Sequence, residues 1–283
     1  MSAFAAPRRG RRANRHLGAY AALTALAVFA LGPLVVLVFN ALKSPQEAAT
    51  NPIGMPHHPR FANFVDAWRQ GGLSTTMANS AFITIGTVVG VCLIAGMAAY
   101  ALARLEIRGA NAVTAYLLLA AAIPAQLFLV PLFFLWTRIG LYDTRLGLVI
   151  IYWGLYSPLA TLLLRSYLIS LPRDFEDAAR MDGASELRVL RDVVIPLSRP
   201  GFLTVALVIG LFAWNEFFFA VTFIQSQDKL PVITSFLAFS QNFTRDWSLT
   251  SAAAILIVLP VLALFLALQR RFIEGLTGTG LKG

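Results

Sequence analysis

Cysteine and histidine are scarce in this sequence, and their scarcity removes several kinds of chemistry. The 283 residues include one cysteine, Cys92, so an intrachain disulfide and a thiolate metal cluster are both excluded. Of the three histidines, His57 and His58 are adjacent, but no Cys, Asp or third His lies at ligand spacing from them. We expect no metal site at this pair and interpret it as solvated or structural.

Charged residues are also few. They make up 13% of the chain against 58% hydrophobic residues, whereas soluble domains have about a quarter charged and about half apolar. A GxxxxGK[ST] phosphate-binding loop is absent as well, and the tail GTGLKG has the wrong spacing for one. The composition therefore predicts a membrane protein that is not an enzyme, has no cofactor and has no ATPase site of its own.

What the sequence does contain is long apolar runs. A bilayer core of about 30 Å takes about 20 helical residues to cross, and lipid-exposed backbone must satisfy its hydrogen bonds within the helix. Runs of this length occur at residues 17–42, 78–103, 111–137, 146–169, 201–224 and 249–269. These runs predict an all-α integral membrane protein with six transmembrane helices.

The net charge of +9 follows the ends of these runs, which argues against nucleic acid as a partner. Arginines cluster before the first run, between the fourth and fifth, and after the last. The positive-inside rule then places both termini and the 171–199 loop in the cytoplasm, with residues 43–75 and 225–248 outside. The expected organisation is a basic N-terminus (1–16), a six-span domain (17–274, including a loop at 171–200) and a C-terminal tail (275–283).

The long inner loop reads LPRDFEDAARMDGASELRVLRDVVIPLSRPG from Leu171 to Gly201. Pro172 suits the start of a first helix that extends to Met181, and Gly183 suits a turn. A second helix is expected from Ser185 to Val194, with Pro196 stopping it. Composition alone fits an amphipathic helix pair resting on lipid headgroups, although the small residues around the turn also fit a docking site for another protein.

The spacing within this loop resembles the cytoplasmic loop of permeases of ATP-binding cassette (ABC) importers. That family pattern is Glu-Ala-Ala, three residues, Gly, nine residues, Ile, one residue, Leu-Pro. Asp177 stands where the family has Glu, with Glu176 one residue earlier, which leaves open which acid makes the family's contact. The residues that the resemblance assigns to ATPase coupling are Glu176, Asp177, Ala178, Ala179, Asp182, Gly183 and Pro196.

Further fragments, in the same order along the chain, resemble the maltose-type carbohydrate branch of this family. They are FNALKS, NS at 79–80, AAYALAR, LYDTRLGLVI, LLLRSYLISLP, AWNEFFFA and the tail GLTGTGLKG. The resemblance implies a type I importer permease in the bacterial cytoplasmic membrane. Its implied partners are a homologous second permease, a dimer of ATPase subunits, an extracytoplasmic substrate-binding protein and membrane lipid.

Polar residues within the apolar runs are the candidates for a transport pathway. Glu216 and Asn215 interrupt the fifth run, and Gln126 and Asn79 are weaker candidates. A carboxylate at membrane depth usually faces a cavity or a partner, but the same residues also serve to tie helices together. Half of a secondary carrier is the alternative function, since such folds also place a carboxylate near the midplane. An intramembrane protease is not expected, because no histidine falls within a run.

Overall fold

In the computed structural model, residues 10–105, 107–242 and 246–277 are described, and all regular elements among them are helical. In chain order, the α-helices are α1 (Gly10–Ala41), α2 (Pro45–Thr50), α3 (Ala62–Gln70), α4 (Leu73–Arg104), α5 (Ala110–Ala122), α6 (Leu129–Arg138), α7 (Arg145–Ser170), α8 (Asp174–Met181), α9 (Glu186–Val189), α10 (Ile195–Leu197), α11 (Arg199–Asn215), α12 (Phe218–Phe223), α13 (Val232–Asn242) and α14 (Trp247–Thr277). Short 3₁₀ turns occupy Ala125–Phe128 and Gln227–Lys229, and a π-helical turn occupies Leu190–Val194.

Four of these helices are long and apolar enough to cross a bilayer, and two bent helix pairs bring the number to six when each pair is counted as one span. The predicted first, second, fourth and sixth spans correspond to α1, α4, α7 and α14. The predicted third and fifth spans each contain a break.

The third span is divided between α5 and α6, and its two halves meet at an angle of 88°. The break falls at Pro124, which follows an extended Ile123. Proline lacks an amide hydrogen, and its ring disfavours the helical conformation of the residue before it. Pro124 is therefore a local signal for the break, although it lies within a long apolar run.

The fifth span ends as a helix at Asn215, since Glu216 is extended and a separate short helix, α12, follows. Before α11, the helical residues 186–197 meet it at an angle of 76°. The predicted span at 201–224 therefore contains a break in its second half.

The chain divides into two compact units, one formed by residues 1–68 and 240–256 and the other by 69–239 and 257–283. In the first unit, the fully buried Lys43 donates to the Asn51 carbonyl at 2.6 Å and to Asn40 Oδ1 at 3.2 Å. Asn63 Nδ2 donates to the carbonyls of Ala41 and Lys43, both at 2.8 Å. These bonds join the end of α1 to α3.

The second unit is built around the α4–α7 pair, against which α11 also packs. Gly90 permits the close approach, because a Cβ there would lie 2.0 Å from Trp153 Nε1. That same indole nitrogen donates to the Gly86 carbonyl at 2.9 Å. Small residues on one helix and large aromatics on the other thus bring the two backbones together, as is common between membrane helices.

Candidate coupling and pathway sites

The inner loop folds as two short helices joined by a glycine turn, as the sequence predicts. Gly183 has φ +81°, a left-handed conformation that side chains other than glycine rarely adopt. Its amide donates to the Arg180 carbonyl at 3.0 Å, and the Ala184 amide donates to the Ala179 carbonyl at 3.0 Å. These two bonds close the end of α8, so the direction of the second helix is fixed by the turn. Residues 174–197, which contain both helices and the turn, form the coupling segment.

The second helix of the coupling segment continues to Leu197, so the prediction that Pro196 stops it was wrong. A π-helical turn at Leu190–Val194 precedes the proline. In an α-helix the ring of Pro196 would clash with the carbonyl four residues earlier, and a wider turn relieves that clash. The helix ends instead at Ser198, whose hydroxyl donates to the Val194 carbonyl at 2.5 Å.

The two neighbouring acids of the loop have different environments. Glu176 is buried, and its Oε1 lies 2.8 Å from Arg104 Nε at the end of α4, with the two side chains 3% and 2% exposed. Asp177 is 64% exposed and pairs only with Arg180, at 2.9 Å. Glu176 therefore binds the loop to its own chain, whereas Asp177 points to the surface. Sequence reasoning left this assignment open.

Arg180 links the two helices of the coupling segment. Its guanidinium donates to Glu186 through Nε at 2.9 Å and through Nη2 at 3.3 Å. The hydroxyl of Tyr100, on α4, donates to the same carboxylate at 2.5 Å. The hydrogen bonds from Arg180 and then Tyr100 hold the pKa of Glu186 below its usual value. This network fixes α9 against α8 and both against α4.

The opposite face of the coupling segment is exposed and partly apolar. Met181 is 88% exposed, Leu187 is 75% exposed, and Phe175 is also exposed. Among the predicted coupling residues, those on the surface are Asp177, Ala178, Asp182, Gly183 and Pro196, whereas Ala179 is half-buried and Glu176 is buried. The segment thus has one side held against α4 and another that presents large apolar side chains beside a tight turn.

Glu216 lies at the break in the fifth span, where its carboxylate is fully occupied by the chain itself. It accepts hydrogen bonds from the amides of Phe219 and Ala220 at 3.0 Å and from the Tyr152 hydroxyl at 2.7 Å. These amides belong to the first turn of α12, which has no helical partners for them. Glu216 therefore caps α12 and ties it to α7, which favours the structural interpretation over the pathway interpretation.

The other three pathway candidates are separated. Asn215 is exposed and donates to the Leu211 carbonyl of its own helix at 2.8 Å. Gln126 is exposed on the 3₁₀ turn after Pro124. Asn79 is buried and donates to the carbonyls of Asp228 at 2.8 Å and Leu230 at 3.1 Å. The structure thus does not bring the four residues into one polar cluster.

A polar cluster that sequence reasoning missed surrounds Asp143, between α6 and α7. Its carboxylate accepts hydrogen bonds from the amides of Gln225 and Ser226 at 2.9 and 3.0 Å, from the Ser226 hydroxyl, and from Lys229 Nζ at 3.0 Å. Burial alone would raise the pKa of Asp143, but these bonds hold it well below its usual range. Asp143 has φ +56°, and Asp is one of the few residue types that tolerate this conformation.

Arg104 and Tyr152 were also missed as candidates, because the partner of each lies far along the chain. Their bonds to Glu176 and Glu216 span 72 and 64 residues, distances over which a single sequence gives no pairing signal. One available signal was the position of Arg104 at the end of an apolar run, directly before residues that leave the helix. Among the described residues, no group of three or more His, Cys, Asp or Glu side chains is arranged to hold a metal ion.

Comparison with solved structures identifies the class of this fold. The chain matches, with a TM-score of 0.79, a structure described as a bacterial ABC transporter involved in the import of the acidic polysaccharide alginate. The match covers 96% of this chain and 100% of that chain, at 24% sequence identity. The chain therefore has the same fold as that structure over nearly its whole length.

Sequence comparison gives the family. The model of the "Binding-protein-dependent transport system inner membrane component" family matches residues 92–277, and the chain belongs to this family. It is 33% identical to a diacetylchitobiose uptake system permease of Streptomyces coelicolor, over 89% of this chain and 84% of that protein. A trehalose transport system permease of Mycobacterium tuberculosis is 33% identical, over 93% and 97%. A melibiose/raffinose/stachyose import permease of Bacillus subtilis is 32% identical, over 93% and 95%.

The family confirms the resemblance drawn from the inner loop and assigns the chain a transport role as a multi-pass membrane permease, not an enzyme. It also excludes half of a secondary carrier, the alternative that the sequence left open.

Proposed function

We propose that this chain is one of two permease subunits of an ABC importer for carbohydrates, and that its coupling segment binds an ATPase subunit in the cytoplasm. The observation that carries the proposal is the two-sided coupling segment. Its buried side is locked to α4 through Glu176, and its other side exposes Phe175, Met181 and Leu187 around the Gly183 turn. An exposed apolar cluster beside a turn marks a protein interface more often than it marks bare surface.

The interface explains the charge arrangement of the loop. Asp177 is exposed, and an exposed charge contributes to the orientation and the rate of association of two proteins. Because Glu176 is buried against Arg104 whereas Asp177 is exposed beside Arg180, Asp177 is the acid that a partner's arginine or lysine can reach. The lipid-headgroup alternative places the same face on the membrane, and the experiment below separates the two.

A matched pair of substitutions tests the docking face. Leu187 and Ile53 are each 75% exposed, but they lie in the coupling segment and in the segment after α2. Leu187→Asp should abolish co-purification of the ATPase subunits with the permease pair, whereas Ile53→Asp should leave it unchanged. If Leu187→Asp retained the ATPase subunits, the lipid-headgroup interpretation of this face would replace docking.

The orientation follows from the charge distribution, with both termini and the coupling segment in the cytoplasm and residues 43–75 and 225–248 outside. A homologous second permease supplies the other half of the pathway, and a binding protein delivers substrate from outside, as the sequence resemblance implies. Cysteine labelling in a Cys92→Ala background tests the orientation. A cysteine at Ser185 should resist an impermeant reagent applied to intact cells or spheroplasts, and its modification would contradict this topology.

The substrate class is supported by the names of relatives, three of which are permeases for oligosaccharides or disaccharides. Thermal-shift measurements on the cognate binding protein, with a panel of mono- and oligosaccharides and polyol phosphates, should show stabilisation by at least one carbohydrate. Stabilisation only by amino acids, peptides or inorganic ions would contradict the carbohydrate assignment while leaving the importer role intact.

A further inference from the structure

The helix α4 joins two distant parts of the second unit. It runs without a break or a proline from Leu73 to Arg104, and 32 residues at ~1.5 Å each give about 48 Å. Each of its ends makes specific polar contacts with a segment that is remote in sequence. One end contacts the coupling segment, and the other contacts residues 228–232, which lie on the side that the proposed topology places outside.

At the end nearest the coupling segment, contacts bind α4 to both short helices. Arg104 pairs with Glu176 of α8, and its Nη2 donates to the Leu171 carbonyl at 3.1 Å. Tyr100 donates to Glu186 of α9. A buried, paired charge such as Arg104 resists separation, because breaking the pair leaves an uncompensated charge in a low-dielectric setting. Any movement of the coupling segment therefore displaces this end of α4.

At the opposite end, α4 holds the backbone that follows α12. Asn79 donates to the carbonyls of Asp228 and Leu230, and Ser80 Oγ accepts the Val232 amide at 2.8 Å. These are buried or partly buried bonds to main-chain groups, so they fix the path of the segment whatever side chains it carries. Arg145, at the start of α7, donates to Asn79 Oδ1 at 2.8 Å and completes the attachment.

The helices α4 and α7 form the continuous connection between these two attachment sites. They pack together along their length, and Trp153 of α7 donates to the Gly86 carbonyl of α4. The helix α11 follows the coupling segment directly along the chain but bends by 76° from it and ends at Asn215. A broken helix absorbs displacement at its break, whereas α4, which has no proline, transmits it. The helix α7 contains Pro158 but packs against α4 and supports it.

We propose that the α4–α7 pair is the element that couples the cytoplasmic coupling segment to the outer segment 228–232, with Arg104 and Asn79 as positioning residues at its two ends. The proposal rests on the proposed function, in which ATPase subunits bind the first segment and a binding protein delivers substrate on the side of the second. Coupling free energies are reciprocal, so occupancy of the outer segment by the binding protein should also stimulate ATP hydrolysis through the same pair.

The test uses the complete complex, with both permeases, the ATPase dimer and the binding protein, reconstituted in proteoliposomes. Tyr100→Phe, which removes one hydroxyl from the end of α4 that carries Arg104, and Asn79→Ala are measured singly and together, with Arg199→Gln, an exposed arginine at the start of α11, as the control. Each single variant should lower binding-protein-stimulated ATP hydrolysis about tenfold, within the usual range of allosteric coupling, and should leave unstimulated hydrolysis unchanged. In the double variant, stimulated ATP hydrolysis should fall no further than in the more impaired single variant, because both substitutions interrupt the same connection. The control should match wild type.

Three results would overturn the inference. Unaltered stimulation in both single variants would show that these contacts carry no coupling, and equal loss of stimulated and unstimulated hydrolysis would show that they act only structurally. Losses that multiply in the double variant would show that the two ends act independently. A wild-type complex without any stimulation would contradict the proposed function instead.

Discussion

The coupling segment and the break in the fifth span each contain a carboxylate that stands out in the sequence, but the chain uses the two carboxylates differently. In the coupling segment, Glu176 is paired with an arginine of another helix, while Met181 and Leu187 of the same segment are exposed. At the break, Glu216 accepts its hydrogen bonds from amides three and four residues further along the chain and from Tyr152. Glu176 therefore holds the coupling segment against α4, whereas Glu216 accepts hydrogen bonds from the amides at the start of α12.

This comparison shows how a polar residue in an apolar sequence is best interpreted. A carboxylate at membrane depth suggests a transport pathway, because burying it without a partner is expensive. A broken helix, however, leaves several amides that need acceptors, and in lipid there is no water to supply them. Where a break and a carboxylate coincide, the amides of the break are the first partners to consider.

The largest effect is expected from Gly183→Leu in the coupling segment. At φ +81° a leucine costs about 1–2 kcal/mol in backbone strain, and its side chain projects into the proposed docking face. Uptake should be abolished while the amount of protein in the membrane stays normal, as measured by transport of labelled substrate and by quantitative immunoblotting.

Gly183→Asn separates strain from bulk, because Asn tolerates the left-handed conformation and open space surrounds the added Cβ. It should retain part of the uptake. Normal uptake by Gly183→Leu would remove the docking assignment from this turn.

The helices and the turn of the coupling segment could be predicted from the sequence, whereas the burial of its acids could not. Helix lengths, the glycine turn and the two-helix coupling segment follow from local signals such as apolar runs, Pro172 and Gly183. The breaks at Pro124 and Glu216 have local signals too, but a uniformly apolar run gives no pattern in which to see them. The burial of Glu176 in preference to Asp177 depends on where Arg104 lies in space, which only the packing of α4 against the loop determines.

The next effect in size distinguishes these two neighbouring acids. Glu176→Gln leaves Arg104 buried without its counter-charge, which should destabilise the protein by about 3–5 kcal/mol. Asp177→Asn removes an exposed ion pair worth at most about 1 kcal/mol, so the fold should persist while ATPase binding weakens. Thermal unfolding in detergent and ATPase co-purification measure the two outcomes. If Asp177→Asn is less stable than Glu176→Gln, then Asp177, and not Glu176, is the acid that holds the loop to its own chain.

A smaller effect is expected at the break. Glu216→Gln keeps one acceptor oxygen but replaces the other by a donor, so at least one amide of α12 or the Tyr152 hydroxyl loses its partner. An unsatisfied buried group costs about 1–3 kcal/mol, and assembly or thermal stability should fall accordingly. Transport per assembled complex should equal that of wild type.

Asn215→Ala is the companion variant for Glu216→Gln, because Asn215 is exposed and bonds only within its own helix. It should leave stability unchanged. A reduced transport rate per complex in Glu216→Gln, at normal stability, would return Glu216 to the pathway.

The smallest effect is a pH dependence of the Arg180–Glu186 network. The hydrogen bonds from Arg180 and Tyr100 lower the pKa of Glu186 in the folded protein relative to the unfolded chain. A carboxyl group with a lowered folded-state pKa contributes stability that is fully present above its ordinary value of 4.5 and is lost as the pH falls through the folded-state value. The coupling segment of wild type should therefore show constant protection from hydrogen exchange between about pH 5 and pH 8.

Glu186→Gln provides the reference for this measurement, since it keeps the size of the side chain but cannot ionise. The ratio of wild-type to variant protection at each pH cancels the intrinsic pH dependence of exchange. That ratio should be constant at neutral pH and should decline towards one only when the pH falls below the ordinary carboxyl range. Because half of the Glu186 side chain is exposed, solvent screens the pair and the ratio should be modest even at neutral pH. A ratio that stays constant through the acidic range would show that the charge of Glu186 does not hold the two helices together, and that the packing of buried Val189 does so instead.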